Sequence, residues 1–138
     1  MATRSKIGRI LPDGRVEAVY CHWDGYPAGV GKILREHYTD PKKVAKLLKL
    51  GELSALGPEI GRKHSVASKR RDWTLAYHRD RGDELRPAAK YPSKVDFYRQ
   101  EAGNFDYLYL FDESTGTWLY SGKRNDFAPL TEIACQEG

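Results

Sequence analysis

Residues 105–112 constrain the fold more than any other stretch of the chain. Phe105, Tyr107, Tyr109 and Phe111 alternate there with Leu108 and Leu110. That period of two sends the aromatic rings to one face of a β-strand and the leucines to the other. Ser114-Thr115-Gly116 is a turn signal, and it returns the chain into a second strand over 117–121. The two strands are therefore expected to pair directly as a hairpin.

A second hairpin is expected over 6–20. Pro12-Asp13-Gly14 supplies its turn, because proline fixes φ and glycine accepts a positive φ. Val16, Ala18 and Tyr20 fall on one face of its second strand, and Val19, Cys21 and Trp23 on the other, so the strand is read as covered on two sides. Val30, Ile33, Leu34 and Tyr38 recur at helical spacing and predict a helix over 28–38. Asp40-Pro41 reads as an N-cap followed by proline at the first helical position, opening a helix over 41–50 that buries Val44, Leu47 and Leu48 and stops at Gly51. Residues 53–56 are expected to add one more helical turn. Residues 73–78 alternate Trp73, Leu75 and Tyr77 against Thr74, Ala76 and His78 and read as a strand. Ser93 with Asp96 resembles a capping box for a short helix to about 102. A last short helix is expected within 126–136. Trp23, Ile33, Leu34, Val44, Leu47, Leu75, Leu108 and Leu110 are the expected core. The fold class is α+β. One domain, 1–138, holds a small antiparallel sheet of an N-terminal hairpin, a central strand and a C-terminal hairpin, packed against two or three helices. An exposed, mobile basic loop spans 59–71, and a C-terminal segment spans 123–138.

Composition narrows the class. Hydrophobic residues make up 40% of the 138 and charged residues 30%, which excludes a disordered chain. No apolar run approaches the ~20 residues of a membrane helix. Cys21 and Cys135 lie far apart and form no metal or redox motif, so a reducing cytoplasm is the expected compartment. Charge is uneven. Residues 62–99 hold eleven Lys/Arg against five Asp/Glu, whereas residues 100–138 hold two against seven. The basic segment suits phosphates, and the acidic end argues against a uniformly basic nucleic-acid binder. Arg62, Lys63, Lys69, Arg70 and Arg71 are the candidate polyanion contacts.

Cys21, His22 and Asp24 supply the residue types of a thiol nucleophile site, but in a strand Cys21 and His22 point to opposite faces. Cys21 is read as a core thiol. His22, His37, His64 and His78 are scattered, with no paired spacing for a metal. No Walker loop or dinucleotide fingerprint is present. Neither a catalytic residue, a metal nor a cofactor is predicted. More informative are two clusters that mix aromatic rings with charged and polar groups. One is Tyr20, His22, Trp23, Asp24 and Tyr26; the other is Tyr77, His78, Arg79 and Arg81, with Asp80 among them. Rings stack on bases and guanidinium groups fork onto phosphates, so the two clusters are the expected ligand-binding residues. In this reading His22 is the exposed member of the first cluster and Arg79 the anion partner of the second.

The octapeptide Tyr20-Cys21-His22-Trp23-Asp24-Gly25-Tyr26-Pro27, with Gly31-Lys32-Ile33-Leu34-Arg35-Glu36-His37-Tyr38 after it, resembles a family of small bacteriophage- and prophage-encoded proteins without an established activity. Residues 51–56 and 76–82 fit that resemblance, and Trp118-Leu119-Tyr120 fits it loosely. The resemblance implies an accessory protein in the cytoplasm of a bacterial host. The expected function is a non-catalytic binding module that acts on a host protein or a nucleotide-like small molecule, such as a signal or a defence component, and not on a membrane. The alternatives are a nucleic-acid-binding protein using the basic loop, and a small hydrolase or transferase using Cys21, His22 and Asp24 or His78.

Overall fold

The computed structural model describes residues 2–67, 72–123 and 125–136. The period-two segments form the centre of the sheet. β1 (Ser5–Ile10) and β2 (Val16–Cys21) make the N-terminal hairpin, with Ile7 opposite Val19. β6 (Tyr107–Asp112) and β7 (Thr117–Gly122) make the C-terminal hairpin, with Tyr109 opposite Tyr120. β1 pairs with β6 in parallel and joins the two hairpins. The sheet is thus mixed rather than purely antiparallel, with β2-β1-β6-β7 as its centre.

The outer edge of β2 is shared. β3 (Leu53–Ala55) pairs with it in parallel at Cys21, and β5 (Ala89–Tyr91) pairs antiparallel with Val16 through Ala18. The expected extra helical turn at 53–56 is replaced by β3, because its backbone carbonyls accept from His22 and Trp23 just past the end of β2. The expected strand over 73–78 shrinks to β4 (Leu75–Ala76) and gives way to α3 (Tyr77–Arg81). In place of the expected helix at 126–136 stand β8 (Ala128–Pro129) and one 3₁₀ turn, Ala134–Gln136.

Helices cover both faces. A π-helical turn, Pro27–Gly31, runs into α1 (Lys32–His37), and α2 (Pro41–Lys49) follows. Asp40 caps α2 by accepting the Lys42 N–H at 2.9 Å. Val30, Leu34, Tyr38, Val44, Leu47 and Leu48 pack here on Ile7, Val19, Cys21, Tyr109 and Phe111. The core is tied by Tyr38, whose hydroxyl donates to the Gly57 carbonyl at 2.8 Å, and by Trp118, whose indole donates to the Tyr38 carbonyl at 2.9 Å. On the other face α4 (Lys94–Glu101), capped by Ser93, lays Phe97 on Val16, Ala18, Leu108 and Leu110. Leu34, Val44, Leu47, Leu108 and Leu110 are buried as expected, and Ile33 and Leu75 are half-buried. Trp23 is not core: it is 46% exposed. The alternation that suggested burial ends with β2 at Cys21, two residues earlier. No helix among the described residues is long and apolar enough to cross a membrane.

Candidate functional site

The octapeptide is dense because nearly every residue in it meets a packing constraint. Cys21 lies fully buried, and burial pushes its thiol up to about 12. Ser5 sits opposite it in the hairpin, with the one buried side-chain polar atom among the described residues that lacks a hydrogen bond of normal geometry. Asp24 takes a left-handed backbone, φ 57°. Its carbonyl accepts the Val30 N–H at 2.9 Å and so fastens the π-helical turn. A Cβ on Gly25 would stand 2.8 Å from the Thr3 carbonyl oxygen and 2.9 Å from Ser5 Cβ, so the chain approaches β1 too closely there for a side chain. The Gly25 carbonyl accepts from the buried Tyr109 hydroxyl at 2.7 Å. These contacts fix the backbone from which Trp23 and Asp24 project. π-helical turns of this kind often accompany functional sites.

Trp23 and Asp24 form one wall of a cleft of about 610 Å³. His64, Trp73, Tyr77 and Arg81 line it as well, with Val66 among its apolar groups. The volume lies in the ordinary range for small-molecule sites. Cations rest on its rings: Arg62 over Trp73 at 5.6 Å and Arg81 over Tyr77 at 4.5 Å. Arg81 is also held by Asp83, with Nη2 2.6 Å from Oδ2. The glycines of the neighbouring loop admit Trp73: a Cβ on Gly61, φ +69°, would fall 2.4 Å from Trp73 Cγ.

The two clusters singled out in the sequence therefore meet, through Trp23, Asp24, Tyr77 and Arg81. Other members lie elsewhere. Tyr20 shares a hydrogen bond with His22, whose ring packs edge-on against Trp23 at 4.6 Å. Burial raises the Tyr20 phenol, and the nearby Tyr77 adds to the rise. Tyr26 donates to Asp24 at 3.3 Å. His78 is exposed and engages the Asp83 carbonyl at 2.8 Å.

Arg79 points inward and does not line the cleft. It donates to the carbonyls of Ile60 and Thr74 at 2.9 and 2.7 Å and pairs with Asp80. Asp80 accepts from the backbone N–H groups of Ala76 and His64. Burial works against the Asp80 charge, but hydrogen bonds from Arg79, Ala76 and His64 outweigh it and hold the carboxyl below its ordinary value. The difference between Arg79 and Arg81 follows from helix α3, in which residues two apart point to different sides. Sequence reasoning missed His64 and Trp73 as cleft residues. The only signal for them was their place, His64 within the basic loop and Trp73 just after it.

Within that loop Arg62 and Lys63 are exposed, and His64 is anchored to Asp80. Lys69, Arg70 and Arg71 lie outside the described residues. Cys21 and His22 do not form a thiol–imidazole pair, since Cys21 faces the core and His22 the Tyr20 hydroxyl. No group of three or more His, Cys, Asp or Glu side chains converges among the described residues. No protein-family model, curated protein or solved structure matches the chain.

Proposed function

We propose that the protein is a non-catalytic binding module that takes an aromatic, anionic ligand of nucleotide type into the cleft between Trp23 and Tyr77. One observation carries the reading: a tryptophan 46% exposed stands in the same cleft as Tyr77 with its Arg81 guanidinium. An indole that gives up burial in a chain of this size is available to stack on a ligand. The two rings are the kind of surface a base stacks on, and Arg81 and Arg62 provide donors for phosphate. The resemblance of the octapeptide to phage-encoded proteins supports a host target, a nucleotide-type signal or a defence component.

Thermal-shift and calorimetric titrations against mononucleotides and cyclic nucleotides test this. A true ligand at 100 times its Kd adds about 2.7 kcal/mol of stability. Trp23→Ala and Arg81→Ala are expected to abolish that gain while the free protein melts normally. No stabilisation by any nucleotide, or unchanged stabilisation in both variants, would refute the proposal.

A second reading, polyanion binding by the basic loop, is favoured by the exposure of Arg62 and Lys63 beside the cleft. Steep loss of binding with salt, alike for all sequences, would identify it.

A further inference from the structure

His64 reaches the cleft from the loop between β3 and β4, and three contacts fix it. Its backbone N–H donates to Asp80 Oδ1 at 3.1 Å. Its ring stands edge-on against Trp73, with centroids 5.5 Å apart. Its Nδ1 lies 2.9 Å from the Arg62 carbonyl oxygen and 3.5 Å from Asp80 Oδ1. Both of those neighbours are acceptors. The carbonyl has no hydrogen to give, and the Asp80 carboxylate is kept ionised by Arg79 and two backbone N–H groups. Nδ1 therefore carries the hydrogen, and in the neutral ring Nε2 is left as a bare acceptor. The His64 side chain is only 10% exposed, and Nε2 has no hydrogen-bond partner among the described residues. Nor is it enclosed, because among the described residues Ser5 Oγ is the one enclosed side-chain polar atom without a partner. The cleft is where His64 meets open space.

We infer that His64 Nε2 is the selecting acceptor of the cleft: it takes one hydrogen-bond donor of the ligand, a base N–H or the ribose 2′-hydroxyl, and discriminates against analogues that lack it. The inference rests on the cleft reading above and names the ligand group which that reading leaves open. The roles divide by chemistry. Trp23 and Tyr77 offer ring faces, Arg62 and Arg81 offer donors to phosphate, and His64 offers the opposite polarity. Asp24 is a second acceptor on the cleft wall, but it is exposed. Its carboxylate stays hydrated, so a ligand donor there replaces water at little gain. The His64 nitrogen differs because its residue is nine-tenths buried. A ligand that covers it without supplying a donor leaves it unpaired, and that penalty falls on the wrong ligand alone.

Imidazole nitrogen NMR of the isotope-labelled full chain at pH 8, with His64→Gln to assign the signal, reads the tautomer without any ligand. The hydrogen is expected on Nδ1, with Nε2 bare. A hydrogen on Nε2 overturns the inference, whatever the variants do. Calorimetry with AMP, GMP, CMP and UMP is the second arm. His64→Phe keeps a flat ring against Trp73 but has no acceptor. It is expected to weaken the tightest of the four about tenfold at an unchanged melting temperature. His64→Gln, which returns an amide oxygen as acceptor, is expected to stay within about threefold of the unaltered protein. The 2′-deoxy forms locate the donor. A loss of about tenfold with His64 present, and none in His64→Phe, assigns it to the 2′-hydroxyl; undiminished binding of the deoxy forms assigns it to the base. Full affinity in His64→Phe, or an equal loss in His64→Phe and His64→Gln, overturns the selecting role and leaves the cleft standing. Failure of all four nucleotides to bind the unaltered protein overturns the cleft reading and this inference with it.

Discussion

Arg79 and Asp80, adjacent in sequence, pair side by side on α3, with Arg79 Nε 2.9 Å from Asp80 Oδ1. The Asp80 side chain is fully buried and that of Arg79 is 16% exposed. Between them they hold Ile60 and His64 of the loop, Thr74, and Ala76 at the start of α3. The pair is a structural clasp for the cleft wall. Arg79→Ala should cost about 3 kcal/mol of stability, because it strands a buried carboxylate. Urea melts would show this, and a loss under about 1 kcal/mol would remove Arg79 from that role.

The same clasp sets an acid limb. The Asp80 carboxyl is held low in the folded protein. Its contribution is therefore present above the unfolded-state value of about 3.9 and is lost as the pH falls through the lower folded value. Stability measured from pH 5 down to pH 2 should fall less steeply for Asp80→Asn than for the unaltered protein. Equal slopes would show that other carboxylates dominate.

Asp24 occupies the left-handed region at φ 57°, where a residue other than glycine is strained by about 1 kcal/mol. Asp24→Gly should leave stability unchanged or raise it by up to about 1 kcal/mol, whereas Asp24→Val should lower it by more. If ligand binding falls in Asp24→Gly at undiminished melting temperature, the strain is kept for recognition.

The Cys21 thiol, fully buried and pushed up to about 12, should resist iodoacetamide at pH 8 in the folded protein and react once it is unfolded. Mass spectrometry after timed alkylation reads this directly. Rapid native labelling at Cys21 would contradict its place in the core and reopen the question of a nucleophile.

Leu34 and Leu47 are both fully buried in the helix-covered core. Leu34→Ala or Leu47→Ala should cost about 2–5 kcal/mol, read from the denaturant midpoint. A loss below about 1 kcal/mol at both would mean that the cavity collapses freely.

The parts of the fold that were legible are those in which local chemistry and periodicity agree. The 107–112 alternation, the Asp40 cap before Pro41 and the Ser93 cap are sufficient in themselves, and each appears as expected; Phe105 precedes the strand and packs with Leu108 and Leu110 rather than with the other rings of that stretch. The parts that were not legible depend on distant partners. β3 has three residues, too few to show a period, and exists because β2 offers its edge. Residues 73–78 alternate like a strand, but from Tyr77 the chain is helical: Asp80 turns back to accept the Ala76 N–H at 2.8 Å and Gly82, φ +83°, ends the helix. In that helix Arg79 turns inward to Asp80 and only Arg81 of the two lines the cleft. The candidate site was thus found by segment, from its aromatic and charged composition, while the roles within it depended on a helix that the pattern concealed.

The shared edge of β2 has a consequence for how such a protein diversifies. The chain leaves that edge at β3 and regains it at β5, and the excursion between them carries His64, Trp73, Tyr77 and Arg81. The ladder β2-β1-β6-β7 and the helices on it close without the tip of that excursion. Residues 65–67 are exposed, so side chains there can vary the rim of the cleft while Gly57, Gly61, His64, Thr74 and the Arg79–Asp80 clasp keep the loop in place.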